Sequence, residues 1–221
     1  MTTYLLWREK MTIIKNNIAR ILKRQIKYAV ESQGYRFFDG NTSWNLNIIG
    51  IRSNNKDVNH FDDNIVVVYR NSKKEWEIFC APATTDPGLV PLLRPISKNG
   101  TAILVPGQYR GSHKIDLHAG KYLALRQSGG PVKVYRDNDR DRVLEMDADT
   151  IEEGYFGINI HRGARRGDTN LVQSYSAGCQ VFQNAKDFNK FLSICQKSAD
   201  KFGNRFTYTL LEEKDILDDP N

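Results

Sequence analysis

From about residue 44 onward the chain is a succession of short apolar runs cut off by Gly, Pro, Asn or Asp, and this pattern limits the fold more than any other feature. Asn47-Ile48-Ile49-Gly50-Ile51, Ile65-Val66-Val67-Val68-Tyr69 and Trp76-Glu77-Ile78-Phe79-Cys80 are too short for helices and rich in β-branched and aromatic residues, so they read as strands. Thr101–Val105, Tyr122–Leu125, Val132–Tyr135 and Gly157-Ile158-Asn159-Ile160-His161 continue the series. Thr85-Asp86-Pro87-Gly88 and Asp137-Asn138-Asp139 mark turns between them.

Two stretches have helical spacing instead. Over residues 12–33, Ile14, Ile18, Ile21, Leu22, Ala29 and Val30 alternate with Lys15, Arg20, Lys23, Arg24 and Lys27, which predicts a basic amphipathic helix ended by Gly34. Such a helix has the composition to touch a membrane surface, but the commoner use is to pack its apolar stripe on its own domain, and that use is expected here. Over residues 185–202, Phe188, Phe191, Leu192, Cys195 and Ala199 predict a second helix, followed by a strand from Phe206 to Leu211 and an acidic tail. The expected fold is mostly β (α+β), with an N-terminal helical segment over 1–43, one domain over 44–221 and a helix near the C-terminus.

With 221 residues, 40% of them hydrophobic, the chain can build a core without disulfides or metal. The net charge of +6 would suit an anionic wall polymer, a membrane or nucleic acid, yet no basic run singles out a partner. Three cysteines, Cys80, Cys179 and Cys195, form no C-x-x-C pair, which excludes a disulfide framework and a zinc knuckle. Cys80, at the end of a strand, and Cys195, on the apolar face of a helix, are expected to be buried. No signal peptide is read at the N-terminus.

The residues with chemistry in them lie late in the chain. Cys179 follows Ser176-Ala177-Gly178 and precedes Val181-Phe182. Small residues before a nucleophile let the backbone turn tightly, so that consecutive N–H groups face a developing oxyanion. His161 closes a strand and opens a polar loop of 14 residues, 162–175, that leads to Ser176. A strand end is a good place to present a general base, and an imidazole beside a thiol generates the thiolate that attacks. A lone cysteine beside glycine is ordinarily a small core residue, and a lone histidine is ordinarily structural. Strand-His, polar loop, then Ser-x-Gly-Cys-x-apolar is far more specific than either part.

That joint pattern resembles the catalytic domain of the L,D-transpeptidases, whose signature is a His, a spacer and then Ser/Thr-His-Gly-Cys. The resemblance rests on His161, Ser176, Gly178 and Cys179, with weaker agreement back to about residue 60. It implies an L,D-transpeptidase-like β-sandwich or barrel in which Cys179 attacks a peptide carbonyl and His161 takes its proton. It further implies that a backbone carbonyl near Arg162 orients the imidazole, and that N–H groups around Gly178 and Cys179 hold the oxyanion, with Ser176 part of the same turn. Ala177 stands where the signature has a second histidine, and Gln180-Val181 stand where family members have an apolar residue and then Asn or Arg.

The expected partner is therefore the stem peptide of bacterial peptidoglycan, rather than nucleic acid, with no cofactor and no metal. His113 and His118 flank Lys114-Ile115-Asp116-Leu117 without a third clear ligand, so metal is not expected there. His118 and Tyr109 are candidates for lining the substrate site. The acyl-enzyme permits hydrolysis or cross-linking. A chain without a signal peptide fits lysis, virion delivery or a secretion apparatus acting on the wall, which favours a peptidase over a transpeptidase. A non-catalytic virion or wall-binding module is the reading from another class.

Overall fold

The computed structural model describes residues 19–55 and 57–217. Strands β1 (Asn47–Arg52), β2 (Asp63–Arg70) and β3 (Trp76–Thr84) are followed by a short helix and then β4 (Thr101–Leu104). Next come β5 (Gly107–His118), β6 (Tyr122–Gln127), β7 (Val132–Asp137) and β8 (Glu152–Gly154). Strands β9 (Ile160–Arg162), β10 (Gln180–Phe182) and β11 (Phe206–Glu212) complete the set. Eight of them close into a barrel in the order β1-β11-β5-β6-β9-β10-β3-β2, and β4-β7-β8 form a separate three-stranded sheet. Closure leaves the barrel without an open edge. Within it β1–β11 and β9–β10 are parallel pairs, and the other pairs are antiparallel.

The apolar runs are continuous because both faces of the early strands are covered. In β2, Ile65, Val67 and Tyr69 join the main core, while Val66 and Val68 join a second cluster outside the barrel wall. That outer cluster receives helix α1, whose described part spans 19–32, through Ile26, Ala29 and Val30 against Ile49, Val66, Val68 and Leu211. The N-terminal segment thus shares a core with the barrel. Its buried stripe differs from the expected one: Ile21 and Leu22 are exposed, and Ile26 is buried in their place. Lys23 already lies over Trp76, the first residue of β3, at 4.5 Å, so the turn before it has reached the end of the strands' cover. Ile14 and Ile18 lie outside the described residues.

Helix α2 (Leu89–Leu93) follows the Thr85–Gly88 turn, and α3 (Ala185–Phe202) follows β10. Asn184 caps α3 by accepting from the Lys186 and Asp187 N–H groups, which satisfies donors that the first turn leaves orphaned. Phe188 and Phe191 of α3 meet Phe182 of β10 at ring-centroid distances of 5.8 and 4.9 Å, and Phe188 also meets Tyr122 of β6 at 6.2 Å. Each such buried ring contributes about 1.5–3 kcal/mol. This anchors α3 directly behind the strands that carry the histidine and the cysteine. The acidic tail begins with a short helix, α4 (Glu213–Leu217).

Three expectations need correction. The longest strand, β5 at 12 residues, is missing from the series read in the sequence, because Gln108, Arg110, Lys114 and Asp116 break every apolar run in it. The strand expected at Gly157 is shorter and starts at Ile160, since Gly157 has φ of 73°. Cys80 is exposed, not buried: Phe79, Ala81 and Ala83 take the inward positions of β3, and the period of two sends Cys80 outward. Cys195 is buried on α3, and all three cysteines are free thiols.

Candidate active site

The site is assembled where β9 and β10 run parallel. Their register sets Ile160 beside Gln180 and His161 beside Val181. Cys179 lies two residues before Val181 and so shares the sheet face of His161, displaced along the strand by one residue pair. The Gln180 N–H donates to the Asn159 carbonyl at 2.8 Å, which fixes the chain next to Cys179.

The imidazole is buried and held. Its Nδ1 is 2.8 Å from the Arg162 carbonyl, the partner to which an N–H on that nitrogen donates. Tyr122 reaches in from β6, with its hydroxyl 3.3 Å from the same Nδ1 and 3.4 Å from the same carbonyl. The Arg162 guanidinium lies 4.1 Å above the Tyr122 ring. A proton on Nδ1 leaves Nε2 as the free lone pair, the state required of a general base. Burial, reinforced by the neighbouring His118, pushes the His161 pKa down to about 4, so the ring is neutral at pH 7.

The thiol is half-buried and protonated. Cys179 Sγ donates to the Gly157 carbonyl at 3.3 Å. Burial pushes its pKa up to about 11, opposed by a hydrogen bond from the Asn159 backbone. Its charge when ionised would be felt by Tyr122, which places thiol, phenol and imidazole in one cluster. Among the described residues no hydrogen bond joins Cys179 to His161. The Sγ–H points instead at the Gly157 carbonyl, and catalytic hydrogen bonds of this kind often tighten only with substrate present.

Ser176 braces the turn. Its hydroxyl donates to the Cys179 carbonyl at 2.8 Å and accepts from the Gly178 N–H at 3.2 Å. This alters the expected oxyanion pair, because the Gly178 N–H is already spent on the Ser176 hydroxyl. Gly178 serves by shape. Its φ is 110°, and a Cβ there would stand 2.3 Å from the Ala102 carbonyl oxygen.

His118, from the end of β5, is brought into the site, stacked on His161 with ring centroids 4.2 Å apart. Its Nδ1 lies 3.3 Å from the Asn159 side-chain amide. Burial lowers its pKa, followed by the charges of Arg126, Arg162 and Lys121. Tyr109 is not in the site. Nine residues of β5, roughly 30 Å of strand, separate it from His118. Its hydroxyl is tied to the carbonyls of Val105 at 2.5 Å and Lys133 at 3.3 Å. His113 points into the barrel, so the two histidines of the H-x4-H stretch do not converge. Among the described residues no group of three or more His, Cys, Asp or Glu could hold a metal.

Three contributors were not read from the sequence as site residues. Asn159 touches both His118 and the sulfur, and its place two residues before His161 on one strand face was the available signal. Tyr122 carried no signal, because its role depends on how β6 pairs. Gln180, buried, donates to the Gly178 and Thr85 carbonyls at 3.3 Å each and accepts from Tyr208 at 2.7 Å. Thr85 is itself pinned, by Arg52 Nη2 on its carbonyl at 3.2 Å and by the buried Asp63 carboxyl on its N–H at 2.6 Å. The turn from Ser176 to Cys179 is thereby fastened to the barrel through Gln180 and Thr85. In comparisons with known proteins, no family model matches the chain, and neither the curated proteins nor the solved structures give a match.

Proposed function

We propose that the chain is a cysteine peptidase acting on peptidoglycan stem peptides, forming an acyl-enzyme on Cys179 and resolving it with water. The observation that carries the reading is the pairing of a half-buried thiol with a neutral imidazole on one face of two parallel strands, the imidazole committed to a carbonyl through Nδ1. In the first step Sγ bonds to the substrate carbonyl carbon while its proton passes to His161 Nε2, and the carbonyl oxygen gains charge beside the Cys179 N–H. The carbon–nitrogen bond then breaks, and the amine leaves with the proton held by His161. Water next attacks the thioester, His161 accepts its proton, and the thiol returns as the carboxylate product departs. A thiol near 11 beside an imidazole near 4 keeps the resting pair neutral, so the proton moves as the carbon–sulfur bond forms.

The wall substrate rests on the likeness of His161, Ser176, Gly178 and Cys179 to the L,D-transpeptidase signature. One observation favours a second reading, a non-catalytic wall-binding module: the thiol is held protonated and turned to Gly157. Purified sacculi incubated with the protein in ¹⁸O-water, followed by mass spectrometry of the muropeptides, separate the outcomes. Hydrolysis gives shortened or uncoupled stems labelled at the new carboxylate. Unlabelled dimers or exchanged terminal residues would replace the peptidase reading with an L,D-transpeptidase. No product would leave the binding module standing.

A further inference from the structure

Beside the nucleophile lies a cavity of ≈ 270 Å³, lined among others by Ile96, Ala102, Phe156, Ala177 and Arg136. Two of its lining residues are near neighbours, along the chain, of the thiol and of the carbonyl that holds it. Ala177 is two residues before Cys179, and Phe156 precedes Gly157, the residue whose carbonyl accepts from Sγ. The cavity is smaller than the roughly 300–1,000 Å³ of sites for whole drug-sized ligands, so it suits one substituent of a larger substrate. Ala177 presents only a methyl group to it.

Among the described residues that line the cavity, Arg136 is the one cation, and it settles the charge there. Arg136 donates through Nε to Glu152 Oε2 at 2.8 Å, and its Nη2 lies 2.8 Å from the same oxygen. Its Nη1 donates to the Gly100 carbonyl at 3.3 Å, and its plane lies 4.6 Å over the Phe156 ring. The guanidinium is balanced and most of its donors are spent, so it offers an incoming anion little. Of the polar side chains in the lining, Thr101 spends its hydroxyl on the Pro91 carbonyl at 2.6 Å and Ser97 Oγ accepts from the Asn99 N–H at 3.2 Å, so the larger part of the wall is the apolar surface of Phe156, Ala102, Ala177 and Ile96. Ile96 is 87% exposed at the rim, an apolar side chain that no described residue covers. The surroundings of His118 differ, since the charges of Arg126, Arg162 and Lys121 all act on that ring and none of the three lines the cavity.

We infer that this cavity is the specificity pocket of the nucleophile, taking an uncharged apolar substituent on the acyl group that Cys179 attacks. The inference rests on Cys179 being the nucleophile, and its test reads labelling of the thiol rather than wall digestion. Three chloroacetamides are compared on the full chain: the N-butyl amide, the amide of β-alanine, which is anionic, and that of ethylenediamine, which is cationic. Sulfur displaces chloride in each case, and peptide mapping gives the rate at Cys179 relative to the exposed Cys80 of the same molecules. The butyl probe is expected to favour Cys179 about tenfold over both charged probes. Ala177→Phe, which fills the cavity, and Ile96→Ser, which alters only an exposed rim residue, should each remove most of that preference and leave Cys80 unchanged. Equal ratios for the three probes, or a preference that survives both variants, overturn the pocket while leaving the nucleophile intact. Labelling of Cys80 without any labelling of Cys179 at about pH 9 removes the nucleophile, and the pocket falls with it.

Discussion

Two regions of the barrel hold a buried imidazole whose pKa is lowered to about 4, and they differ in one nitrogen. In the interior, His113 is bonded at both ends, with Ser112 Oγ 2.8 Å from Nδ1 and the Ile158 carbonyl 2.9 Å from Nε2. At the mouth, His161 spends Nδ1 on Arg162 and keeps Nε2 in reserve. Burial is the leading cause of the shift in both. A perturbed pKa alone therefore does not separate a structural histidine from a candidate base. The unspent nitrogen, facing the side of the sheet that also carries a thiol, does.

The largest effect that can break this contrast comes from the two residues of the site. Cys179→Ala should abolish product formation from sacculi, with circular dichroism and melting behaviour unchanged, because the substitution removes one half-exposed sulfur. His161→Ala should lower the rate by about 10²–10⁴-fold through loss of the general base. His113→Leu should do the reverse. Leaving the Ile158 carbonyl without its imidazole partner in the interior, while Ser112 still donates to the Tyr109 carbonyl, should cost about 1–3 kcal/mol, read as a lower urea midpoint, while the folded fraction keeps its activity. Equal activity losses in the His161 and His113 variants would erase the distinction drawn from the free nitrogen.

The pH dependence sharpens it next. For both histidines the folded pKa lies near 4, below the unfolded value near 6.5, so the unfolded chain binds more protons between the two. Stability is then unaffected above about pH 6.5 and falls as pH drops toward 4, by about 3 kcal/mol for His113 at pH 4. Asp63 works the other way. Burial, and then the charge of Asp86, raise its pKa to about 7, so its contribution is present at low pH and is lost as pH rises through 7. The His113→Leu variant should therefore lose less stability than the parent between pH 6.5 and 4. Activity should keep its acid limb near pH 4, where His161 takes up a proton, and an acid limb near 6.5 would mean that the base is a solvated imidazole. A third effect is smaller. Ser176→Ala releases the Gly178 N–H and the Cys179 carbonyl, and should slow turnover by about tenfold through a loosened turn, without shifting that limb.

The same two histidines show how far the sequence carried. Runs such as Ile65–Tyr69 gave away strands that are buried on both faces, and a strand carrying His161 was legible, although β9 runs from Ile160 to Arg162 and His161 is its middle residue rather than its last. The helix over 185–202 was legible from its apolar spacing. β5 was not, since polar residues sit on both of its faces, and without β5 nothing told His113 from His118. They are five residues apart, so the period of two puts them on opposite faces of the strand: one enters the barrel and the other stacks on His161. Tyr109 was misplaced for the same reason, since its distance from His118 along one continuous strand was invisible. The cavity beside Ala177 could not be read either, because it depends on β4 and β7 packing next to a turn that is remote in sequence.

The smallest expected effect tests His118 as a neighbour of the base. The ring stacks on His161 at 4.2 Å, and its charge is among the causes that depress His161, after burial. His118→Phe keeps a flat ring in the stack, so burial of His161 is preserved while the charge and the bond to Asn159 are lost. The His161 pKa should then rise modestly, and the acid limb of activity should move up with it. Turnover near neutral pH, where both histidines are already unprotonated, should fall only a few-fold through the loosened Asn159 amide. His118→Ala removes the covering ring as well, which admits water to His161 and should move its pKa up further than the Phe variant does. NMR titration of the His161 ring in the two variants reads this directly, without any substrate. A His161 pKa that is unmoved in both variants would make His118 a bystander of the stack, and the low basicity of His161 would then come from the barrel wall and Tyr122.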